Sequence, residues 1–192
     1  MRIERLSNEH LPLVGAFSCI ESEEQLKQYN SKERRRIKKH SKEMDDFLKE
    51  EAWEDQEFGL STTFLLMEDD KEEIVAYISL CNDAIRLDFD EKNEKGFPYF
   101  TIPALKIARL AVSSAHQKKG IGRKLIFLAA YQGINVRQAS GVVFITLDCY
   151  EHRKSFYEAF GFVENNIQPE AREFDNPISM RIHLDKLIEL FE

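Results

Sequence analysis

Residues 117–124, Gln-Lys-Lys-Gly-Ile-Gly-Arg-Lys, place two glycines among four Lys or Arg side chains. Ahead of them Ile107, Leu110 and Val112 read as a buried strand; after them Ile121, Leu125, Leu128 and Ala129 recur at helical spacing. A basic glycine turn therefore sits where a strand becomes a helix. The first N–H groups of a helix have no intrahelical partner, and the helix dipole is positive there. Glycine lets a ligand come close to that backbone, so the segment suits an anion and a phosphate ester above all. Two phosphate motifs do not fit. The Gly-x-x-x-x-Gly-Lys-Ser/Thr spacing is missing, and one Gly-x-Gly pair without a following ribose-binding acid is not the dinucleotide fingerprint.

The elements that must hold this turn can be read along the chain. Residues 2–6 alternate and suit an edge strand. Residues 22–58 contain no glycine or proline and few strand formers, which predicts helices, two of them. Seven basic residues crowd positions 32–42, positions 43–57 are predominantly acidic, and Met44, Phe47, Leu48 and Trp53 offer an apolar stripe. Such a charge block is ordinarily a solvated helix face; the functional alternative is a mouth for an acidic substrate. Residues 61–67 and 74–80 are β-rich runs joined by a polar loop, a hairpin signal. Residues 84–103 are mixed and read as loop; their Asp-Phe-Asp-Glu-Lys-Asn-Glu run lacks the glycine and closing glutamate of a calcium loop.

From Gly120 a helix is expected to about Ala139, although Gly133 inside it costs about 1 kcal/mol against alanine. Residues 141–148 form a near-continuous apolar run, the pattern of a central strand covered on both faces. A short helix over 150–160 stops at Gly161, strands follow at 162–163 and 178–184, and a short helix closes the chain over 185–192. With no repeat or linker, the expectation is one domain, 1–192. Its parts are a strand and helices (1–59), a hairpin and central strand (60–112), the glycine turn and its helix (113–139) and a C-terminal half (140–192).

At 192 residues, 43% hydrophobic and 32% charged, the chain has a globular composition. No apolar stretch is long enough to span a membrane, and no apolar leader opens the sequence, so the expected compartment is the cytoplasm. Cys19, Cys81 and Cys149 are unclustered, giving neither a disulfide framework nor a metal site. A formal charge of −7 disfavours a protein that coats nucleic acid broadly.

Gln117-x-x-Gly120-x-Gly122, preceded by Ile107-Ala-Arg-Leu-Ala-Val112, resembles the acetyl-CoA motif of the GNAT superfamily of N-acetyltransferases. Ser155-Phe-Tyr-Glu-Ala-Phe-Gly-Phe162 is similar to that superfamily's Phe-Tyr-x-x-x-Gly-Phe segment. The resemblance covers roughly residues 60–184 and implies a mixed α/β fold: a central, mostly antiparallel twisted sheet of six to seven strands, with a splayed central pair and flanking helices. It also implies direct transfer of an acetyl group from acetyl-CoA, without a metal, to a primary amine.

On that resemblance the cofactor-binding residues are Leu110, Ala111, Val112, Gln117, Lys118, Lys119, Gly120, Ile121, Gly122, Arg123 and Lys124. The N–H groups of Leu110 and Val112 would bind the thioester carbonyl and the pantetheine. Tyr157 stands at the position of the family's tyrosine and would protonate the departing thiolate. Tyr150 replaces the asparagine that many members carry seven residues earlier. A general base is not readable; Asp148 and His152 lie near. The acceptor is expected to be a small-molecule or peptide amine. Residues 46–52, 60–80 and 106–112 also look like a branch that includes toxins acetylating aminoacyl-tRNA, which leaves tRNA open despite the acidic balance. A non-catalytic CoA-binding sensor is the alternative from another class, and a homodimer is left open.

Overall fold

The computed structural model describes residues 1–168 and 176–191; residues 169–175 and 192, within the expected C-terminal half, lie outside the described residues. Among the described residues seven strands form one mixed sheet: β1 (Arg2–Arg5), β2 (Thr62–Glu68), β3 (Glu73–Arg86), β4 (Thr101–Val112), β5 (Phe144–Cys149), β6 (Val163–Glu164) and β7 (Ile178–His183). Their order is β1-β2-β3-β4-β5-β7-β6. The pairs β1–β2, β2–β3, β5–β7 and β6–β7 run antiparallel, and β4–β5 runs parallel. The chain divides into two compact units, one of Met1–Leu80 and Arg109–Leu125, the other of Cys81–Ala108 and Ile126–Glu192.

In the first unit the expected hairpin forms, β2 pairing with β3 from Thr62↔Leu80 to Glu68↔Glu73. A short helix α1 (Leu11–Val14) precedes α2 (Ser31–Asp46), which continues through a π-helical turn (Phe47–Glu51) into α3 (Ala52–Glu57). The helix starts later than the composition of residues 22–58 suggests. Asn30 accepts from the Glu33 N–H while Glu33 accepts from the Asn30 N–H, a capping box that fixes the start. Before it, Ser22 and Gln25 close a separate turn through their own side chains.

The predicted stripe is the core. Phe47 and Leu48 are buried with Leu6, Leu65, Met67, Tyr77 and Ala111, and Met44 and Trp53 pack against them. Tyr77 is enclosed, its ring edge-on to Phe17 at 5.5 Å and its hydroxyl donating to the Met44 carbonyl at 2.7 Å. Burial pushes that phenol well above its ordinary range.

In the second unit β5 pairs with β4 from Ala104↔Phe144 to Ile107↔Leu147, and with β7 from Phe144↔His183 to Cys149↔Ile178. The helix α5 (Ile121–Ser140), which spans both units, agrees with the expected 120–139. Gly133 faces the sheet here: a Cβ at this position would lie 2.9 Å from Ile145 Cδ1 and 3.0 Å from Leu184 Cδ1. The glycine gives up helix propensity for close packing. The helices α6 (Glu151–Glu158) and α7 (Leu184–Glu189) match their predicted positions, and Gly161 ends the first with φ 83°.

Residues 84–103 are not loop. The strand β3 continues to Arg86, a helix α4 (Phe89–Glu94) follows, and β4 begins at Thr101. Asp88 caps α4 by accepting from the Glu91 N–H at 2.8 Å. A second apolar cluster of Ile85, Leu87, Ile102, Ala104 and Phe144 forms there, and Glu91 makes a buried ion pair with Arg181 of β7.

Candidate active site

The residues predicted to hold a cofactor gather in the first unit. At the end of β4, Ala111 packs into the core while Leu110 and Val112 are half-buried. The register of β4 with β5 ends at Ile107, and β4 runs on to Val112. The side chain of Gln117 is a strut. Its Nε2 donates to the carbonyls of Cys19 at 3.0 Å and Val112 at 3.2 Å, and its Oε1 accepts from Gln25 Nε2 at 3.1 Å. These bonds tie the turn to the strand end and to the segment before α2; they account for the glutamine structurally.

Lys118 and Gly120 are both left-handed, with φ 61° and 77°. A Cβ at Gly120 would meet open space, so the glycine answers a backbone demand rather than a close neighbour. For Lys118 the same conformation costs about 1 kcal/mol. Lys119 donates to the Ala115 carbonyl at 2.9 Å, bracing the turn. Ile121, 3% exposed, anchors the first turn of α5 in the interior. Lys118, Lys119, Arg123 and Lys124 are exposed around it, and that first turn carries no acidic residue. The unsatisfied N–H groups and four cations thus share one end of a long helix.

Tyr157 belongs to the second unit. It lies on α6 with its ring edge-on to Phe156 at 5.0 Å and to Phe162 at 5.8 Å. Burial, and then the Cys149 thiol nearby, pushes its phenol above the ordinary tyrosine range, against an opposing pull from Arg153. The Cys149 thiol is itself pushed up to about 12, first by burial and then by Glu151 and Asp148. Both groups therefore stay protonated at neutral pH. The two residues weighed as bases differ in setting. His152 stacks flat on Tyr150 at 6.0 Å, whereas Asp148 accepts from Lys106 at 2.7 Å. Sequence reasoning misses Lys106 and Asp83; the signal, a charged residue within an otherwise buried strand pattern, is visible only once the strands pair. Among the described residues no group of three or more His, Cys, Asp or Glu could hold a metal ion. No helix among them is long and apolar enough to cross a membrane.

A sequence model of the acetyltransferase (GNAT) domain matches residues 61–164, more than half of the chain. The chain belongs to the GNAT family of acetyltransferases, and its acyl donor is acetyl-CoA. Solved structures share the fold along nearly the whole length. A tyrosine-to-phenylalanine mutant of KacT has a TM-score of 0.73 at 19% identity, covering 99% of this chain and 98% of that one. AtaT complexed with acetyl-methionyl-tRNA has a TM-score of 0.72 at 19% identity, covering 100% and 99%. AtaTR bound with acetyl-CoA has a TM-score of 0.68 at 21% identity, covering 100% and 98%. At these identities the likeness is one of fold.

Proposed function

We propose that the chain transfers the acetyl group of acetyl-CoA directly to a primary amine. The turn of residues 117–124 holds the diphosphate, the N–H groups of Leu110 and Val112 polarise the thioester carbonyl, and Tyr157 supplies the proton to sulfur. The observation that carries this reading is the basic glycine turn, with Lys118 and Gly120 left-handed and four cations around the first turn of α5. The Tyr157 phenol on α6 stays protonated at neutral pH. A donor that never ionises in the working range is always loaded. As the C–S bond breaks, the phenol gives its proton to the thiolate. The nitrogen of the adduct, a stronger acid than either, then restores it.

The first reading of the acceptor is a small-molecule or peptide amine. A second is the amine of an aminoacyl-tRNA, favoured by the whole-length likeness to AtaT, whose structure contains acetyl-methionyl-tRNA. Against it stand the formal charge of −7 and the state of the basic stretch on α2. There Lys38 pairs with Glu23, Lys39 with Glu43 at 3.6 Å, and Lys42 with Asp46 at 2.5 Å. The test is release of CoA from acetyl-CoA in the presence of ethylamine, a short peptide with a free N-terminus, or methionyl-tRNA. Turnover on the first two supports the proposal, and turnover on methionyl-tRNA alone selects the second reading. Binding of acetyl-CoA with no turnover on any amine would make the chain a sensor module.

A further inference from the structure

The second unit carries a row of charged and polar side chains on one side of the sheet. Lys106 of β4, Thr146 of β5 and Arg181 of β7 are directly paired in register, so their side chains share a face. Asp148, two residues beyond Thr146, points to that face as well, and Cys149 points to the other. Asp148 Oδ2 accepts from Lys106 Nζ at 2.7 Å, and Lys106 is its hydrogen-bond partner among the described residues. Both side chains remain 28–29% exposed. Asp83 of β3 is more fully engaged: Oδ2 accepts from Thr146 Oγ1 at 2.6 Å and Oδ1 from the Ala84 N–H at 2.8 Å. Arg181 is withdrawn into its buried pair with Glu91. The accessible charges of the row are therefore Asp83, Lys106 and Asp148, an excess of one negative charge, which suits an arriving ammonium.

We propose that Asp148 is the proton acceptor on the amine side of the reaction, with Lys106 as its positioning residue; this rests on the function proposed above. Tyr157 neighbours Cys149, and Cys149 and Asp148 alternate across β5. The strand end thus separates a proton donor on one side from a carboxylate on the other. In the reaction, the acceptor ammonium gives one proton to the Asp148 carboxylate. The freed nitrogen lone pair forms the C–N bond to the thioester carbon, and the C–S bond breaks with its electron pair on sulfur. Sulfur takes the Tyr157 proton, the amide nitrogen gives up its second proton to the tyrosinate, and Asp148 releases its own to solvent. One proton is released per acetyl group transferred, and no other reactant is needed. The charged groups on the same face of the sheet are Lys106 on β4, Asp83 on β3 and Arg181 on β7, the last paired with Glu91.

The test compares wild type, Asp148→Asn, Asp148→Glu and Lys106→Met across about pH 6 to 9. Acceptors are ethylamine, an ammonium at neutral pH, methoxyamine, which is not, and methionyl-tRNA; acetyl-CoA affinity is measured in parallel by calorimetry. Asp148→Asn is expected to lower kcat about 100-fold on the protonated amines, less on methoxyamine, and less as pH rises, with acetyl-CoA affinity unchanged. Asp148→Glu should recover part of the loss, and Lys106→Met should lower kcat and shift the pH profile. An Asp148→Asn variant within threefold of wild type, or one losing equally at every pH and on every acceptor, overturns the inference while leaving the acetyltransferase reading intact. Wild type that binds acetyl-CoA yet releases no CoA with any acceptor overturns both.

Discussion

Tyr157 and Asp148 lie close in sequence but meet different surroundings. The half-buried Tyr157 ring lies edge-on to Phe156 and Phe162, and desolvation of the phenol, then the Cys149 thiol, raises its affinity for a proton. The sign follows directly. A raised phenol pKa keeps the acid loaded through the range in which an exposed tyrosine would already ionise, near pH 10. The high-pH limb of kcat/KM should therefore lie above that range in wild type. Tyr157→Phe is expected to lower kcat about 100-fold and to remove the limb, with acetyl-CoA affinity nearly unchanged. Turnover close to wild type in that variant would reduce Tyr157 to a packed aromatic.

Among the elements, α5 carries two glycines with opposite duties. Gly122 lies in its first turn, where the proposed diphosphate site needs open backbone. Gly122→Val should weaken acetyl-CoA binding more than tenfold, about 1.4 kcal/mol, as read by calorimetry on the folded variant. Unchanged affinity there would refute the proposed cradle. Gly133 instead meets the sheet. An alanine would gain about 1 kcal/mol of helix propensity. Its Cβ, however, would press on Ile145 and Leu184 at 2.9 and 3.0 Å. Overpacking of this kind costs about 1–3 kcal/mol, so Gly133→Ala should lower the urea midpoint of unfolding. An equal or higher midpoint would mean that the two side chains move aside freely.

At the scale of the whole molecule the question is which acceptor an acidic chain can receive. The basic stretch of α2 is largely committed elsewhere. Arg34 donates to the carbonyls of Tyr29 at 2.7 Å and Lys27 at 3.0 Å, and several of its neighbours pair with carboxylates. Arg34 thus supports the turn ahead of the helix, so the informative substitutions are at Lys32 and Arg35, both exposed. Changing both to glutamine should leave acetylation of ethylamine unaltered. If methionyl-tRNA is the true acceptor, the same change should weaken its binding and flatten the salt dependence, the log–log slope falling by about 0.7–0.9 for each phosphate no longer neutralised. Abolished tRNA acetylation in that variant, with ethylamine untouched by wild type, would reverse the order of the two readings.

Local chemistry made much of this protein legible in the sequence. The basic glycine turn, the hairpin, the helix after the turn and the aromatic segment around Tyr157 each carry a signal within a few residues. Propensity, periodicity and helix-end electrostatics act at that range. The helix start at Asn30 and the helix at Phe89–Glu94 were also encoded, through caps at Asn30 and Asp88, but surrounding composition masked them. The pairing of residues far apart along the chain was set by the folded packing alone. Gln117 became a strut between Cys19 and Val112, Gly133 a contact with Ile145 and Leu184, and Glu91 the buried partner of Arg181. Lys106 meets Asp148 because β4 and β5 run parallel with Lys106 opposite Thr146, and a shift of one residue would turn them to opposite faces. Register across strands more than thirty residues apart is set by the summed packing of the sheet, which no short window of sequence contains.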